Sequence, residues 1–460
     1  METTAQPQAE PASSTLKSDR LLTNPRLLLL SAIIGVVGGL VATIYYYLLR
    51  GLLIGVWEKL AHTPITSLPI EPTWLPKVLI ISTVGGVVVG LLTKWLGSAG
   101  EIASVVDNIH VRNGRIDMRQ TPSMTLTSLA SITAGGSAGP EAPLVQIIGS
   151  CASWIGDRLR LRGDLVRTCT FCGMGAALGA FFGAPLGGAL FALEIPHRRG
   201  IEYYEALLPA LLSAVCAFLV FRSIVGYEPV VFPLPAGPEL ALSDVWWGLA
   251  FGAVGAGAAT IFAYVFAWIG KLTHRLEHFP VLLGALGGLS IGLLAQLAPK
   301  SMFWSEFQMG AIANSAGELL QHHTLHAAAG LLLLTAAVKI IAIGATLHTG
   351  FRGGFIFPLM FVGACIGAAA GIAVPHVPMA VAVVACMAAV NVAITKTPVS
   401  TCVILTTLTG TSLGPVIVAS SLVSLLLTTK LSLIRTQRER LLAAAVERAG
   451  GPIVVGGAAA

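Results

Sequence analysis

Nine apolar runs recur along the 460-residue chain: Leu27–Leu49, Val78–Leu92, Leu207–Val220, Trp246–Ile269, Val281–Leu297, Ala327–Ile343, Ile356–Val374, Met379–Ile394 and Pro415–Leu427. A straight helix needs about 20 apolar residues to cross a bilayer. Backbone N–H and C=O groups in lipid find no water, so they must be satisfied within the segment. Runs of this kind point to membrane helices. Charged residues make up only 11% of the chain and hydrophobic residues 55%, against about 25% charged in soluble domains. Several runs are too short to span, and 51 glycines and 25 prolines interrupt them. The expected fold is therefore an all-α polytopic membrane protein with broken and re-entrant helices.

The ends of the chain differ from its middle. Residues 1–25 are polar, lack a small-residue cleavage site, and read as a cytoplasmic tail. Residues 435–460 open with the basic stretch Arg435-Thr-Gln-Arg-Glu-Arg440 and read as a second short tail, with no room for CBS domains. The net charge of +6 is clustered at Arg158–Arg167, Arg198–Arg199 and Arg435–Arg440. Such clusters suit positive-inside flanks better than nucleic-acid binding, which would also require interleaved aromatics. Seven cysteines lie mostly in apolar segments and are expected as free thiols. Cys169 and Cys172 have the spacing of a redox or metal pair but no second pair, so no metal site is expected.

Two stretches of the chain echo each other. PLVQIIGSCASWIG from Pro143 resembles PLMFVGACIGAAAG from Pro358, 215 residues later. The segment around Pro185 resembles the one around Pro398 at an offset of 213. Two nearly equal offsets favour a duplicated half over the chance echoes of small-residue packing. The halves are residues 26–225 and 226–434, and repeats in transporters commonly pair in inverted orientation.

Glu141 lies at one of the breaks, in GGSAGPEAPLVQIIG (Gly135 to Gly149). A helix starting inside the bilayer leaves its first N–H groups unpartnered and carries a partial positive charge there. That end attracts anions, and an ionisable side chain beside it is a functional candidate. The alternative is an ordinary helix-start carboxylate on a solvated rim.

These residues resemble the CLC family of chloride channels and proton-coupled chloride exchangers, over about residues 27–434. The family's G(K/R)EGP signature is matched by Gly139-Pro140-Glu141-Ala142-Pro143, followed by Val145-Gln146. Its GxFxP signature is matched by Gly354-Phe355-Ile356-Phe357-Pro358, and its N-A-P-L segment by Gly183 to Glu194. GSGIP survives in part as Gly97-Ser98-Ala99-Gly100-Glu101-Ile102. The resemblance implies a CLC-like inverted repeat with chloride as ligand and no cofactor, in a bacterial inner membrane. It also implies a homodimer joined through apolar faces from Ile201–Val220 and Met379–Ser424. Glu141 would be the gate, competing with chloride when ionised and swinging away when protonated. Gly139, Pro140, Ala142, Ile356 and Phe357 would form the anion cradle, and Ser98 would donate a hydroxyl, unless Ser98 is only a loop or capping serine.

Three departures bear on mechanism. Proton-coupled members carry a second acid after the position matching Glu194; here Ile195 stands there. The inner tyrosine expected near Leu433 is absent. Pro140 replaces the basic residue before the gate. The resulting expectation is a chloride channel of the voltage-gated type. The alternatives are H+/Cl− antiport, or a path for another small anion such as fluoride or nitrate.

Other polar residues carry competing readings. Lys339, in an apolar run, and Glu194 are candidates for an anion vestibule; Lys339 equally suits snorkelling to an interface. His322, His323 and His326 could bind metal or sense pH, with an ordinary polar loop favoured. Tyr203-Tyr204 and Trp246-Trp247 suit interfacial belts. Asp107 and Arg112 to Arg119 read as an inter-helix loop. A sodium-coupled solute carrier would need a site such as Thr395, Thr397, Ser400 and Thr401. An enzyme is not expected, because no HExxH and no paired aspartates occur.

Overall fold

The computed structural model describes residues 24–62, 75–98, 100, 102–198, 200–226, 232, 234, 240–306, 308–309, 312, 319–321, 324–374, 376–410 and 412–438. The helices of the first half are α1 (Pro25–Leu53), α2 (Leu75–Leu96), α3 (Ile102–Val111), α4 (Thr121–Thr133), α5 (Glu141–Arg158), α6 (Gly163–Phe182), α7 (Pro185–Glu194) and α8 (Leu207–Val225). Those of the second half are α9 (Leu242–Thr273), α10 (Pro280–Leu297), α11 (Leu325–His348), α12 (Ile356–Ala373), α13 (Met379–Thr395), α14 (Pro398–Thr409) and α15 (Gly414–Leu427). Each of the nine apolar runs falls in one of these helices, and eight helical stretches among the described residues are long and apolar enough to span. The polar sequence around Asp107 departs from expectation: it lies within α3, whose Val105, Val106 and Ile109 face the core. His322 and His323 lie outside the described residues, while His326 lies in the first turn of α11.

Local chemistry sets the helix ends. Asn24 accepts the Arg26 N–H at 3.0 Å ahead of Pro25, satisfying one orphan donor of α1. α6 ends at Gly183 with φ +67°, a left-handed conformation that costs glycine little. α12 and α13 are buried along nearly their whole length. Helices surrounded by protein need not match the bilayer, which is why 18 and 17 residues suffice. The burial of α13 also removes Met379–Thr395 from any subunit interface.

The duplication is visible in the helix starts. α5 and α12 have 18 residues each and begin 215 residues apart, and α7 and α14 begin 213 apart and pack on each other. Gly139 and Gly354 form an isolated antiparallel bridge, exchanging both N–H···O bonds at 2.8 and 2.6 Å. They too are 215 residues apart. Antiparallel pairing of a residue with its own repeat mate places a two-fold relation between them, so the halves are inverted about this bridge.

Candidate anion site

Beside that bridge, α5 and α12 both open on a first turn without intrahelical donors' partners. Pro143 and Pro358 sit in these first turns, where a missing N–H costs nothing. At the repeat offset, the first half places Glu141 where the second places Ile356. Glu141 is 1% exposed, and its Oε1 accepts the Ile356 N–H at 3.0 Å. The Phe357 amide acts on the same carboxylate, while Oε2 has no hydrogen-bond partner among the described residues. The side chain of one helix start thus occupies the anion-binding end of the other.

Small residues leave room for it. A Cβ at Gly139 or Gly354 would overlap the Glu141 carboxyl group. Behind the tips, the Phe357 ring meets Phe181, Phe182 and Phe232 edge-on at 5.6, 5.3 and 5.9 Å between centroids. This aromatic packing fixes the start of α12 and keeps the surroundings of the carboxylate dry.

Two cavities adjoin the carboxylate. One is an apolar crevice of about 10 Å³ whose walls include Glu141, Val145, Phe191, Ile195 and Ile356. The other is a vestibule of about 90 Å³ whose walls include Met124, Ala142, His348, Arg352 and Leu433. Ile102 and Ala142 border both.

The expected cradle is assembled only in part. Glu141, Ala142, Ile356 and Phe357 come together. Gly139 and Pro140 offer no free donor: the Gly139 N–H is spent on Gly354, and proline has none. Ser98 is exposed and accepts Arg352 Nη2 at 2.6 Å instead of reaching the helix tips. Ile195 is part of the crevice's hydrocarbon wall.

Glu194 and Lys339 line neither of these two cavities, and their side chains hold backbone groups instead. Glu194 caps α14, its carboxylate accepting Val399 N at 3.1 Å, Ser400 N at 2.9 Å and Ser400 Oγ at 2.7 Å. Lys339 is fully buried, so it does not snorkel; its Nζ donates to the carbonyls of Ser301 at 3.0 Å, Met302 at 3.5 Å and Phe303 at 2.7 Å. Such a cage supplies the hydrogen bonds that burial takes from the amine. That loop bonds back to the site through Phe303 N to Gly135 O at 3.3 Å.

Several side chains lie elsewhere than the sequence suggested. Tyr203 is 3% exposed, packed between His197 and Phe171 rather than in an interfacial belt, whereas Tyr204 is exposed. Thr397 and Thr401 bond to Thr395 and Asn391, holding the α13–α14 turn. The cysteines are free thiols, and no metal-ligating cluster occurs among the described residues. Two contributors were missed. Arg352, just ahead of the GxFxP match, carried no role in the sequence reading. Glu306 accepts Trp304 Nε1 at 2.6 Å and lies close enough to Glu141 for their charges to interact. A charge breaking an otherwise apolar stretch was the available signal for both.

Comparison with known proteins agrees with this geometry. A family model described as voltage gated chloride channel matches residues 85–429. YfeO of Salmonella newport (strain SL254), a protein named for ion transport, is 28% identical over 336 residues, covering 71% of this chain and 76% of the relative. YfeO of Salmonella schwarzengrund (strain CVM19633) is 28% identical over 318 residues, covering 68% and 72%. The fold is shared with a CLC-type fluoride/proton antiporter (TM-score 0.71, 21% identity, 90% of this chain and 98% of that one). It is shared equally with a slow cyanobacterial Cl−/H+ antiporter (TM-score 0.73, 20% identity, 93% and 98%). The bacterial relatives fit the inner membrane expected for a multi-pass protein. The chain belongs to the voltage-gated chloride channel family, the CLC family of anion transporters.

Proposed function

We propose that the chain exchanges a small inorganic anion, chloride in the first instance, for a proton carried by Glu141. One observation carries this reading: a buried carboxylate holds the amide end of α12, the place an anion would take. While ionised, Glu141 acts as a tethered competitor for that place. Once protonated, it loses the attraction to the helix end and yields to the mobile anion. One group thereby couples occupancy to protonation. The likeness in fold to two proton-coupled antiporters supports exchange over simple conduction.

A specific observation favours a second reading, a passive channel. The crevice that Glu141 shares with Ile195 is otherwise walled by hydrocarbon, with room for about one water. A proton crossing there would need a titratable group or ordered water. Purified protein in liposomes under opposed chloride and pH gradients separates the two. Exchange moves the reversal potential with the pH gradient, whereas conduction leaves it following chloride alone. Absence of any small-anion flux would sink both. A homodimer, implied by the family resemblance, would use the exposed Leu208, Val215 and Leu219 of α8 and Val418, Leu422 and Leu426 of α15.

A further inference from the structure

His110 holds a basic nitrogen in a buried place. Its Nε2 lies 2.9 Å from the Pro196 carbonyl oxygen. A carbonyl only accepts, so Nε2 bears the hydrogen and Nδ1 is the nitrogen open to a proton. Nδ1 is buried with no hydrogen-bond partner among the described residues. A buried polar atom left in that state calls for a role. His197 repeats the arrangement. It is fully buried, and its Nδ1 meets the Leu193 carbonyl oxygen at 3.0 Å, so Nε2 is its basic nitrogen. That Nε2 lies 3.8 Å from a carboxylate oxygen of Glu202, whose side chain is 23% exposed. The two imidazoles cross edge-on with ring centroids 5.3 Å apart.

The pair stands beside the crevice that contains Glu141. Val106 lines that crevice, and His110 follows it on α3 after four residues, about 6 Å of helical rise. Ile195 lines it too, and the carbonyl bonded to His110 belongs to the next residue, Pro196. Three charged groups act on His110: Arg167 of α6, Arg438 of the C-terminal stretch and Asp107 of α3 itself. Arg438 pairs with Asp107 at 3.0 Å. Arg167 donates to Ile109 O at 3.0 Å and Asn113 Oδ1 at 2.6 Å, and its guanidinium covers the Tyr203 ring. Tyr203 in turn packs on both histidines.

Resting on the exchange reading above, we propose that His197 and His110 carry the proton between solvent at Glu202 and the crevice of Glu141. They are the titratable groups that the hydrocarbon wall of the crevice lacks. Imidazole suits the task because its ordinary titration lies near neutral pH, and each ring here keeps one nitrogen for a carbonyl and one for the proton. The proton passes from Glu202 to His197 Nε2, then to His110 Nδ1, then over the one water the crevice accommodates to the Glu141 carboxylate. At each hop one N–H or O–H bond breaks as the next forms. Every donor returns to its starting form, and Glu202 is recharged from solvent.

The test is proton and chloride flux measured together in liposomes holding the full chain. Wild type is expected to move both. His110→Gln keeps a donor for the Pro196 carbonyl and removes the base. Its chloride flux should stay within about twofold of wild type while proton flux falls about a hundredfold. If His110→Gln does not fold, Glu202→Gln, at a part-exposed position, decides by a fall of about tenfold in proton flux at unchanged chloride flux. The proposal is overturned if the folded variant keeps the wild-type ratio of protons to chloride. It is equally overturned if both fluxes fall together, as a packing role for the rings would have it. Wild-type protein that moves chloride without protons instead overturns the exchange reading itself.

Discussion

Glu141 Oε1 accepts the N–H of Ile356 at 3.0 Å, and the two residues are separated by 215 positions, the period of the duplication itself. The gate is therefore a contact between repeat mates. In a symmetric pair of halves, two equivalent helix starts would face each other with equal positive ends and nothing between them. Placing an acid in one half and an aliphatic residue in the other fills that gap with a removable negative charge. Function arises where the duplicated halves ceased to be alike.

Glu141→Gln keeps the shape and removes the charge. Wild-type flux should rise as pH falls, because protonation frees the carboxylate from the α12 amides. The variant should be flat between about pH 5 and 8, and proton movement should vanish. Proton-coupled flux persisting in Glu141→Gln would place the coupling group elsewhere.

Gly354→Ala puts a methyl group into the space of the Glu141 carboxyl. The carboxylate has to leave the Ile356 amide, so pH sensitivity should shrink as it does in Glu141→Gln. Overpacking of this kind costs ~1–3 kcal/mol, visible as a lower Tm in detergent. A variant with wild-type pH response would show that the gate does not depend on this close approach.

Lys339→Met removes a donor from three loop carbonyls. The cost is about 1–3 kcal/mol, since buried carbonyls lose their donor. Because the loop is tied to Gly135, the thermal midpoint should drop without a change in anion preference. A changed preference with unchanged Tm would restore Lys339 to the anion path.

Glu194→Gln weakens the three donors' hold at the start of α14 by ~1–2 kcal/mol. Its flux should follow the wild type's pH dependence at low temperature and be lost sooner on heating. If the variant instead altered proton coupling with unchanged Tm, Glu194 would belong to the proton path.

How much of this was legible beforehand depended on the kind of signal. Long apolar runs announce spanning helices because lipid contact demands continuous hydrocarbon, and seven of the nine lie in helices long enough to span. Those at Met379 and Pro415 form shorter helices, and the spanning helix Gly163–Phe182 was not among the runs. Short α3 was obscured because Asp107 and Asn108 interrupt its apolar face. Glu141 was found through helix-start chemistry, whereas Ile356 and Phe357 came from the CLC resemblance. Lys339 and Glu194 were recognised as costly, yet their partners are carbonyls and amides far along the chain, which residue types do not reveal. Tyr203 was misplaced for the same reason, since its neighbours His197 and Phe171 come from other elements.

The amino-acid order by itself determined the solvent, the duplication and the acid at a helix start, because each is a local matter of hydropathy, period or backbone valence. Only the tertiary structure decided what that acid touches. It spent the Gly139 N–H on Gly354, gave Ser98 to Arg352, and set Ile195 as a wall. Hydrogen bonds between residues 215 or 254 positions apart depend on how two halves are inverted against each other, and no local pattern encodes that angle.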